Sequence, residues 1–263
     1  MTWRVPIGDL TYVVVPVGGF DMSPEVLFAN ADAGARADAL ARHGLADPIR
    51  FHMYPLYVDT GTNRILVDPG GLGWTDDVRD AVEAEGIDPG AIDTIVITHG
   101  HADHYWGCVG ADRTPAFPNA RIFLARREWE HWLSPANPEP DHAANFREIL
   151  EPLRDRIVLL EGEGEIVPGV EAILAPGHSP GHLAVLIDGR VLHTGDAILN
   201  VVYIERPEWC ASFELWPGEV METRWRLLAM AAERDLVLAQ CHFPPPGMGR
   251  VRVSEGAYSW VPV

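Results

Sequence analysis

Short apolar runs of strand length recur along the whole chain, with longer amphipathic stretches between them. The runs predict strands at 11–17, 51–58, 64–68, 94–98, 121–125, 157–160, 170–175, 182–188, 190–194 and 236–240. Helical spacing predicts helices at 31–43, 74–86, 126–132, 142–156 and 217–235, and the acidic stretch 161–165 predicts a turn. Because strands occur in both halves with helices among them, we expect an α/β fold in which two sheets pack together with helices outside.

Composition is consistent with one globular unit. The chain has 263 residues, 47% of them hydrophobic and 22% charged, which is ordinary for a protein with a sizeable core. No repeat, low-complexity tract or linker-like composition break divides it, so we predict a single domain over residues 1–263.

The charge balance narrows the possible partners. The chain has 38 acidic and 20 basic residues, a formal net charge of −18, which disfavours nucleic acid and anionic membranes as partners. Three widely spaced cysteines form neither a disulfide framework nor a thiolate zinc motif. No apolar run is long enough to cross a membrane, and a cytoplasmic protein is the default expectation.

The chemistry concentrates in Val96–Gly107, VITHGHADHYWG, where four metal-binding side chains follow a β-branched run. His99 and His101 are two positions apart and, in an extended segment, point the same way, so they suit one ion. Asp103 and His104 are adjacent and diverge, which favours a second ion beside the first. Two such sites need further ligands from elsewhere in the chain.

Three candidate ligands occur at later strand ends. His178 follows 170–175 in LAPGHSPGH, Asp196 follows 190–194 in VLHTGDA, and His242 follows 236–240 in LVLAQCHF. Side chains placed where strands end can converge on one rim of a pair of sheets.

The ordered set H-x-H-x-D-H, G-H-x-P-G-H, T-G-D and a late strand-end histidine resembles the metallo-β-lactamase-fold hydrolases. The resemblance implies a four-layer αββα sandwich and a dinuclear centre holding two divalent ions, most often Zn2+, with Mn2+, Fe2+ or Co2+ as alternatives. It further implies that His99, His101 and His178 bind the first metal, that Asp103, His104 and His242 bind the second, and that Asp196 bridges them.

The implied activity is hydrolysis by a hydroxide shared between the two metals. Asp103 is the candidate catalytic residue, since it is placed to orient that nucleophile or to pass its proton to the leaving group. We expect a small-molecule substrate, an ester or lactone that is mostly apolar.

Several narrower activities stay open. An N-acyl homoserine lactonase shares all seven ligands, but such enzymes usually have tyrosine three positions after the bridging aspartate, where this chain has Leu199. The segments 117–132 and 241–251 are more similar to the branch of methyl-parathion-type organophosphate triesterases and related esterases. A thioester hydrolase fits less well, because the chain continues only briefly beyond His242. A reaction of another class, persulfide oxidation, would use the same histidines and aspartates to hold one iron.

The other notable residues have structural interpretations that compete with functional ones. We expect His182 to form a hydrogen bond behind the ligands, and Asp68 either to support a ligand histidine, as is common in the family, or to form an Asx turn. We expect the remaining histidines and Cys241 to be packed or at the surface; they are His43, His52, His131, His142 and His193. Four aromatic residues lie in segments next to the site and could form either an apolar substrate wall or part of the core; they are Trp106, Trp209, Trp216 and Phe243. Two segments, 18–28 and 200–216, are candidates for capping the pocket or forming a homodimer.

Overall fold

Two seven-stranded sheets form the centre of the fold in the computed structural model, which describes residues 2–71, 73, 78–254 and 256–263. With strands numbered in chain order, the first sheet has the order β1-β2-β5-β6-β7-β8-β9. Its strands are β1 (Trp3–Ile7), β2 (Leu10–Val14), β5 (Leu56–Asp59), β6 (Arg64–Val67), β7 (Thr94–Val96), β8 (Arg121–Ala125) and β9 (Ile157–Leu160). The strands from β6 to β9 are parallel.

The second sheet uses the C-terminal part of the chain, in the order β10-β11-β12-β13-β14-β15-β16. Its strands are β10 (Gly164–Val167), β11 (Val170–Leu174), β12 (Leu183–Ile187), β13 (Val191–His193), β14 (Val237–Ala239), β15 (Met248–Ser254) and β16 (Ala257–Pro262). β13 and β14 are parallel, whereas the other neighbours are antiparallel. A separate hairpin consists of β3 (Gly18–Met22) and β4 (Ile49–Met53).

Helices cover the outer faces of both sheets. They are α1 (Pro24–Leu27), α2 (Ala33–His43), α3 (Val78–Ala84), α4 (Ala102–Tyr105), α5 (Arg126–Leu133), α6 (Pro140–Leu150), α7 (Val202–Glu205) and α8 (Pro217–Glu233). Short 3-10 turns occur at Pro89–Ala91, Trp106–Cys108, Glu151–Arg156 and Gly195–Ile198. Within the described ranges, none of these helices combines the length and the apolar character needed to cross a bilayer.

Alternation along the strands explains the layers. Leu66 and Ile95 pack into the cluster beneath α3, α5 and α6, while Val67 and Val96, one residue on, pack into the cluster between the sheets. Because successive side chains in a strand point to opposite faces, continuous apolar runs can serve both clusters. A third cluster joins the second sheet to α2, α7 and α8. The expected four-layer αββα sandwich is therefore confirmed.

Some predicted boundaries were wrong. The predicted strand 51–58 is two strands, β4 and β5, in different sheets, and they are separated at Tyr54–Pro55 because proline has no N–H to give to a ladder. The predicted helix 142–156 is α6, which starts at Pro140, followed by the 3-10 turn at Glu151–Arg156, where Pro152 interrupts the α-helical bonding.

Other predictions were incomplete. The predicted turn at 161–165 already enters β10 at Gly164, and the predicted strand 11–17 ends at Val14. The strands β1, β3, β15 and β16 were not anticipated. Of the predicted helix 74–86, α3 accounts for Val78–Ala84, and residues 74–77 lie outside the described part of the chain.

Candidate metal centre

The candidate ligands all follow the carboxyl ends of strands that point the same way. His99 follows β7, His178 follows β11, Asp196 follows β13 and His242 follows β14. Leu183 donates its backbone N–H to the Thr98 carbonyl at 2.9 Å, which joins the two sheets at this rim. The strand-end residues of both sheets therefore meet at one place, as the sequence predicted.

The first group consists of His99, His101 and His178. Nδ1 of His101 lies 2.9 Å from Nε2 of His99 and 2.9 Å from Nε2 of His178. Asp196 Oδ2 lies 3.8 Å from Nε2 of His99 and 3.4 Å from Nε2 of His178. Four potential ligand atoms thus lie within 4.8 Å of one another, a spacing suited to a single ion.

The second group lies on the other side of Asp196. Its Oδ1 is 3.3 Å from Nε2 of His104 and 3.2 Å from Nε2 of His242. Asp103 Oδ2 is 3.7 Å from the same atom of His104 and 3.6 Å from that of His242. The two oxygens of Asp196 are therefore divided between the two groups, which is the arrangement of a bridging carboxylate.

The donor set fits a pair of cations. His104 Nε2, His242 Nε2 and Asp196 Oδ1 are buried and have no hydrogen-bond partner among the described residues, although all three face one another. Buried polar atoms without partners are costly, and a divalent ion would satisfy imidazole and carboxylate together. The two groups of histidine and aspartate suit a dinuclear metal site.

The electrostatics also favour positive charge at this position. Burial opposes protonation of His104, but Asp196, Asp103 and Asp68 outweigh it and raise the pKa of His104 well above its ordinary value. Burial likewise opposes ionisation of Asp196, yet His104 and His242 hold its pKa well below the usual range. In contrast, burial and the neighbouring imidazoles lower the pKa of His99 well below its ordinary value, so its ring is neutral and free to act as a ligand.

Asp68 forms a hydrogen bond to the candidate ligand His104, in agreement with the supporting role that the family resemblance implied for it. It follows β6, and its Oδ2 accepts hydrogen bonds from His104 Nδ1 at 2.8 Å and from the Thr98 hydroxyl at 2.8 Å. Its Oδ1 accepts from the Thr98 backbone N–H at 2.7 Å. Since Nδ1 of His104 is engaged, Nε2 is directed at the second group.

His178 is held by a buried chain of charged groups that sequence reasoning missed. Its Nδ1 donates to Glu214 Oε2 at 3.1 Å, and Oε1 of Glu214 accepts from Arg224 at 3.3 Å. The side chains of Glu214 and Arg224 are 0% exposed. Arg224 also donates to the carbonyls of Ala197, Pro207 and Trp209, so the same guanidinium holds the segment after Asp196. The buried guanidinium of Arg224 therefore holds both the candidate ligand His178, through Glu214, and the loop after Asp196.

Glu128, in α5, joins the two loops that supply the first group. Its Oε1 accepts from the Gly100 N–H at 2.9 Å and from Trp132 Nε1 at 2.6 Å. Its Oε2 accepts from the Ser179 hydroxyl at 2.9 Å and the Gly181 N–H at 2.8 Å. Gly100 allows this approach, since a Cβ at that position would lie 2.2 Å from Trp132 Nε1. Sequence reasoning missed this role, because Glu128 occurs within a helix rich in charged residues.

Three further contacts orient the other candidate ligands. His242 Nδ1 lies 2.6 Å from the His52 carbonyl, and the His242 N–H donates to Gln240 Oε1 at 3.1 Å. His182 Nε2 accepts the Asp196 N–H at 2.9 Å, as expected of a residue behind the ligands. Cys241 is buried as expected, but its thiol lies within 4.8 Å of ligand atoms of the second group, which sequence reasoning had not foreseen.

A cavity of about 300 Å³ opens above the two groups. Besides five of the candidate ligands, it is lined by the apolar residues Phe20, Met22, Phe51, Leu199 and Phe213 and by the polar residues Glu139 and His142. Phe20 and Met22 belong to the β3–β4 hairpin. Segment 18–28 therefore contributes to the pocket, which agrees with the capping role suggested for it. The cavity therefore joins a polar floor to a mostly apolar wall.

The aromatic residues proposed for that wall lie elsewhere. Trp209 and Phe243 are in the core beneath the second sheet, Trp106 packs against the core of the first, and Trp216 is 39% exposed. Tyr203 is fully buried, donates its hydroxyl to the Leu27 carbonyl and stacks 4.1 Å from the Arg224 guanidinium, so it does not reach the cavity.

The remaining histidines mostly match their structural interpretations. His193 is buried in β13. His52 stacks on Tyr54 with ring centroids 5.2 Å apart, and His43 pairs with Glu205 at 3.2 Å. His142 is exposed, as expected, yet it also lines the cavity, with its ring 5.4 Å from that of His101.

Curated relatives of this chain include N-acyl homoserine lactonases. The protein of that name from Bacillus thuringiensis is 31% identical over 163 residues, which cover 54% of this chain and 59% of the relative. A probable metallo-hydrolase of Methanocaldococcus jannaschii is 31% identical over 144 residues, 54% of this chain and 66% of that protein. The chain spans about three fifths of the length of the first of these relatives.

Solved structures share the fold over the entire chain. The hydrolase AbOPH of the beta-lactamase superfamily superimposes with a TM-score of 0.91 and 24% identity, over 100% of this chain and 97% of that one. AidC, a dizinc quorum-quenching lactonase in complex with its product, gives a TM-score of 0.89 and 21% identity over the same shares. The profile of the Metallo-beta-lactamase superfamily matches residues 55–256, a range that contains all seven candidate ligands. On its sequence, its fold and the order of its motifs, the chain belongs to the metallo-beta-lactamase superfamily.

Proposed function

We propose that the protein is a metal-dependent hydrolase that cleaves an ester or lactone bond of a small, mostly apolar substrate. The observation that carries the proposal is the division of Asp196 between two groups of ligands at the floor of an apolar cavity. His99, His101 and His178 would hold one divalent ion, and Asp103, His104 and His242 the other. We propose Zn2+ for both, because a set of imidazole nitrogens with few carboxylates, open to a cavity on one side, suits a catalytic zinc ion.

When bound, such a pair supplies an activated water and a Lewis acid for a carbonyl oxygen. The protein supplies orientation. The Nδ1 atoms of His104 and His178 are engaged by Asp68 and Glu214, so each ring presents Nε2 inward. Asp103 lines the cavity and is more accessible than Asp196, with 14% of its side chain exposed against 6%. It is therefore placed to receive a proton and to deliver it to the leaving oxygen.

The wall of the cavity determines what binds. Phe20, Phe51 and Phe213 offer apolar area next to the floor, and no arginine is among the lining residues described, while the sequence contains no lysine. A substrate with a hydrocarbon or aromatic portion gains from this wall, whereas a polyanion has no counter-charge outside the metal floor.

A second candidate is N-acyl homoserine lactonase activity, which the curated relatives favour. Against it, Leu199 lines the cavity at the position where the lactonase pattern has tyrosine, and Tyr203 points into the core. A lactone opened here would therefore obtain its proton from Asp103 and not from a phenol.

A hydrolysis panel with the zinc-loaded protein tests the proposal. It should contain acyl homoserine lactones, aryl esters, a phosphotriester, a thioester and a β-lactam. We expect turnover of an oxygen ester or lactone that is lost on chelation and restored by Zn2+. Absence of turnover with every ester and lactone would overturn the proposal. A persulfide oxidation assay with iron-loaded protein covers the redox alternative, which the complete second group of ligands disfavours.

A further inference from the structure

The ring of His101 is held differently from the rings of the other candidate ligands. Each of the other candidate histidines has a hydrogen-bond partner at its Nδ1; these partners are Thr98, Asp68, Glu214 and the His52 carbonyl. In His101, Nδ1 faces the first group, and Nε2 makes no hydrogen bond with the described residues. The ring packs instead against Trp132 and His142, with ring centroids 5.4 Å away in both cases, and of these two only Trp132 is buried. The orientation of His101 therefore depends on how firmly Trp132 is held.

Glu128 is the residue that holds Trp132. Nε1 of Trp132 donates to Oε1 of Glu128 at 2.6 Å, and both residues are fully buried. The same oxygen accepts the N–H of Gly100, the residue between His99 and His101, at 2.9 Å. Glu128 therefore acts on His101 in two ways, through the backbone next to it and through the ring that packs against it.

The other oxygen of Glu128 reaches the third histidine of the first group. Oε2 accepts the hydroxyl of Ser179, which directly follows His178, at 2.9 Å, and the N–H of Gly181 at 2.8 Å. The contact is close, since a Cβ at Gly181 would lie 2.3 Å from the backbone nitrogen of Glu128. None of the donors to Glu128 is next in sequence to a residue of the second group. One carboxylate thus ties together the three histidines of the first group alone.

We propose that Glu128 is a positioning residue for the first metal ion, acting on all three histidines that would bind it. The inference rests on the dinuclear site of the proposed function and says which of the two ions depends on α5. A carboxylate accepts from all of these donors, whereas glutamine has one oxygen and must turn its NH2 group towards two of them. Buried donors without an acceptor are costly, so the loops around the first group should relax apart. The second group, held by Asp68 and the His52 carbonyl, should keep its geometry.

Cadmium NMR in chelator-buffered Cd2+ measures the two sites separately and does not depend on turnover. The unaltered protein should give two resonances. Two ligand variants assign them, because His101→Ala removes a ligand of the first group and Asp103→Ala removes one of the second. In Glu128→Gln, the first-group resonance should need about 10- to 100-fold more free Cd2+ to appear, the loss typical when a group behind the ligands is replaced. The second-group resonance should appear at the same Cd2+ concentration as before.

Two further variants separate positioning from general support of the fold. Ser179→Ala removes one donor and leaves the carboxylate in place, so it should weaken the first group in the same direction but less, and it decides the matter if Glu128→Gln does not fold. Glu130→Gln makes the same chemical change at an exposed position of α5 and should affect neither resonance. Equal weakening of both groups, or an unchanged first group, would overturn the inference.

The outcomes also separate this inference from the proposed function. If the unaltered protein binds no pair of ions, the dinuclear site is wrong and the inference is wrong with it. If two ions bind but Glu128→Gln weakens them without distinction, the inference alone fails. If two ions bind and no ester or lactone is cleaved, the proposed hydrolysis is wrong, and a selective loss of the first ion still establishes the role of Glu128.

Discussion

Replacing Glu214 by glutamine should weaken the metal centre from a position that touches no metal. Glu214 accepts from His178 with one oxygen and from Arg224 with the other, at 3.1 and 3.3 Å. Glutamine keeps the shape but has only one oxygen, so its NH2 group must face either the His178 N–H or the guanidinium. One donor then lies against another in a site that solvent does not reach.

The size of the effect follows from the same contacts. Breaking a buried ion pair by removing one charge costs about 3–5 kcal/mol, and we expect the lower end because Arg224 keeps three carbonyl acceptors. Loss of the carboxylate behind a ligand histidine typically lowers metal affinity about 10- to 100-fold. Metal affinity should therefore fall about 10- to 100-fold, and the metal-free protein should lose about 3 kcal/mol of unfolding free energy.

Urea unfolding of the metal-free protein and competition with a zinc chelator measure the two quantities separately. Glu222→Gln is the matched control, since it makes the same chemical change on an exposed face of α8 and should alter unfolding by less than about 0.5 kcal/mol. Unchanged zinc affinity in Glu214→Gln would refute the reasoning, even if stability fell, because Glu214 would then only support the fold.

Three further measurements address the site and its surroundings. Asp103→Asn should lower kcat at least about 100-fold against any ester the protein cleaves, as loss of a proton-transfer group does, and full activity with metal bound would exclude that role. Removing the metal with a chelator should lower the melting temperature, and adding Zn2+ at about 100 times its dissociation constant should restore about 2.7 kcal/mol for each ion bound. An unchanged melting temperature would show that the native state binds no metal. Burial lowers the pKa of His193 in the folded protein to about 4. Between pH 6.5 and 4 the unfolded chain therefore binds one more proton than the folded protein does. The stability that the neutral ring confers above pH 6.5 is lost as the pH falls through this range. His193→Asn in metal-free protein should therefore flatten the pH dependence of unfolding free energy in this window by about 1.4 kcal/mol per pH unit, and an unchanged slope would contradict the assignment.

The positions of the candidate ligands could be predicted because each follows a recognisable strand. His99, His178, Asp196 and His242 come directly after apolar runs, and strands that point the same way bring their carboxyl ends to one rim. Local spacing also separated His101 from His104. The apolar run before a ligand and the spacing between neighbouring ligands both lie within a few residues of sequence, so they can be recognised without knowledge of the packing.

The supporting carboxylates could not be predicted in the same way. Glu128 lies in RREWEHW, where alternating charges suggest an exposed helix, yet it is 0% exposed and accepts four hydrogen bonds. Glu214 lies in a segment without periodicity, 36 positions from His178. Their roles depend on which loops come together in space, and a single sequence contains no local pattern for that.

The missed strands have a related explanation. β1 and β16 are the outermost strands of their sheets, and each pairs on one side only. β1 alternates between half-buried and exposed positions, and β16 is half-buried only at its centre, so neither has a fully buried apolar run like those of β6, β7 and β12. Edge strands that are only partly buried are easily mistaken for loops.

The position of Asp196 between the groups also affects how the protein is assembled. His99, His101, Asp103 and His104 extend from the first sheet, whereas His178, Asp196 and His242 extend from the second. Each group therefore draws ligands from both halves of the chain, and a partly folded chain with one sheet formed offers no complete set. Ions bound as proposed would be retained only after the halves have docked, so tightly held metal would serve as a gauge of correct assembly.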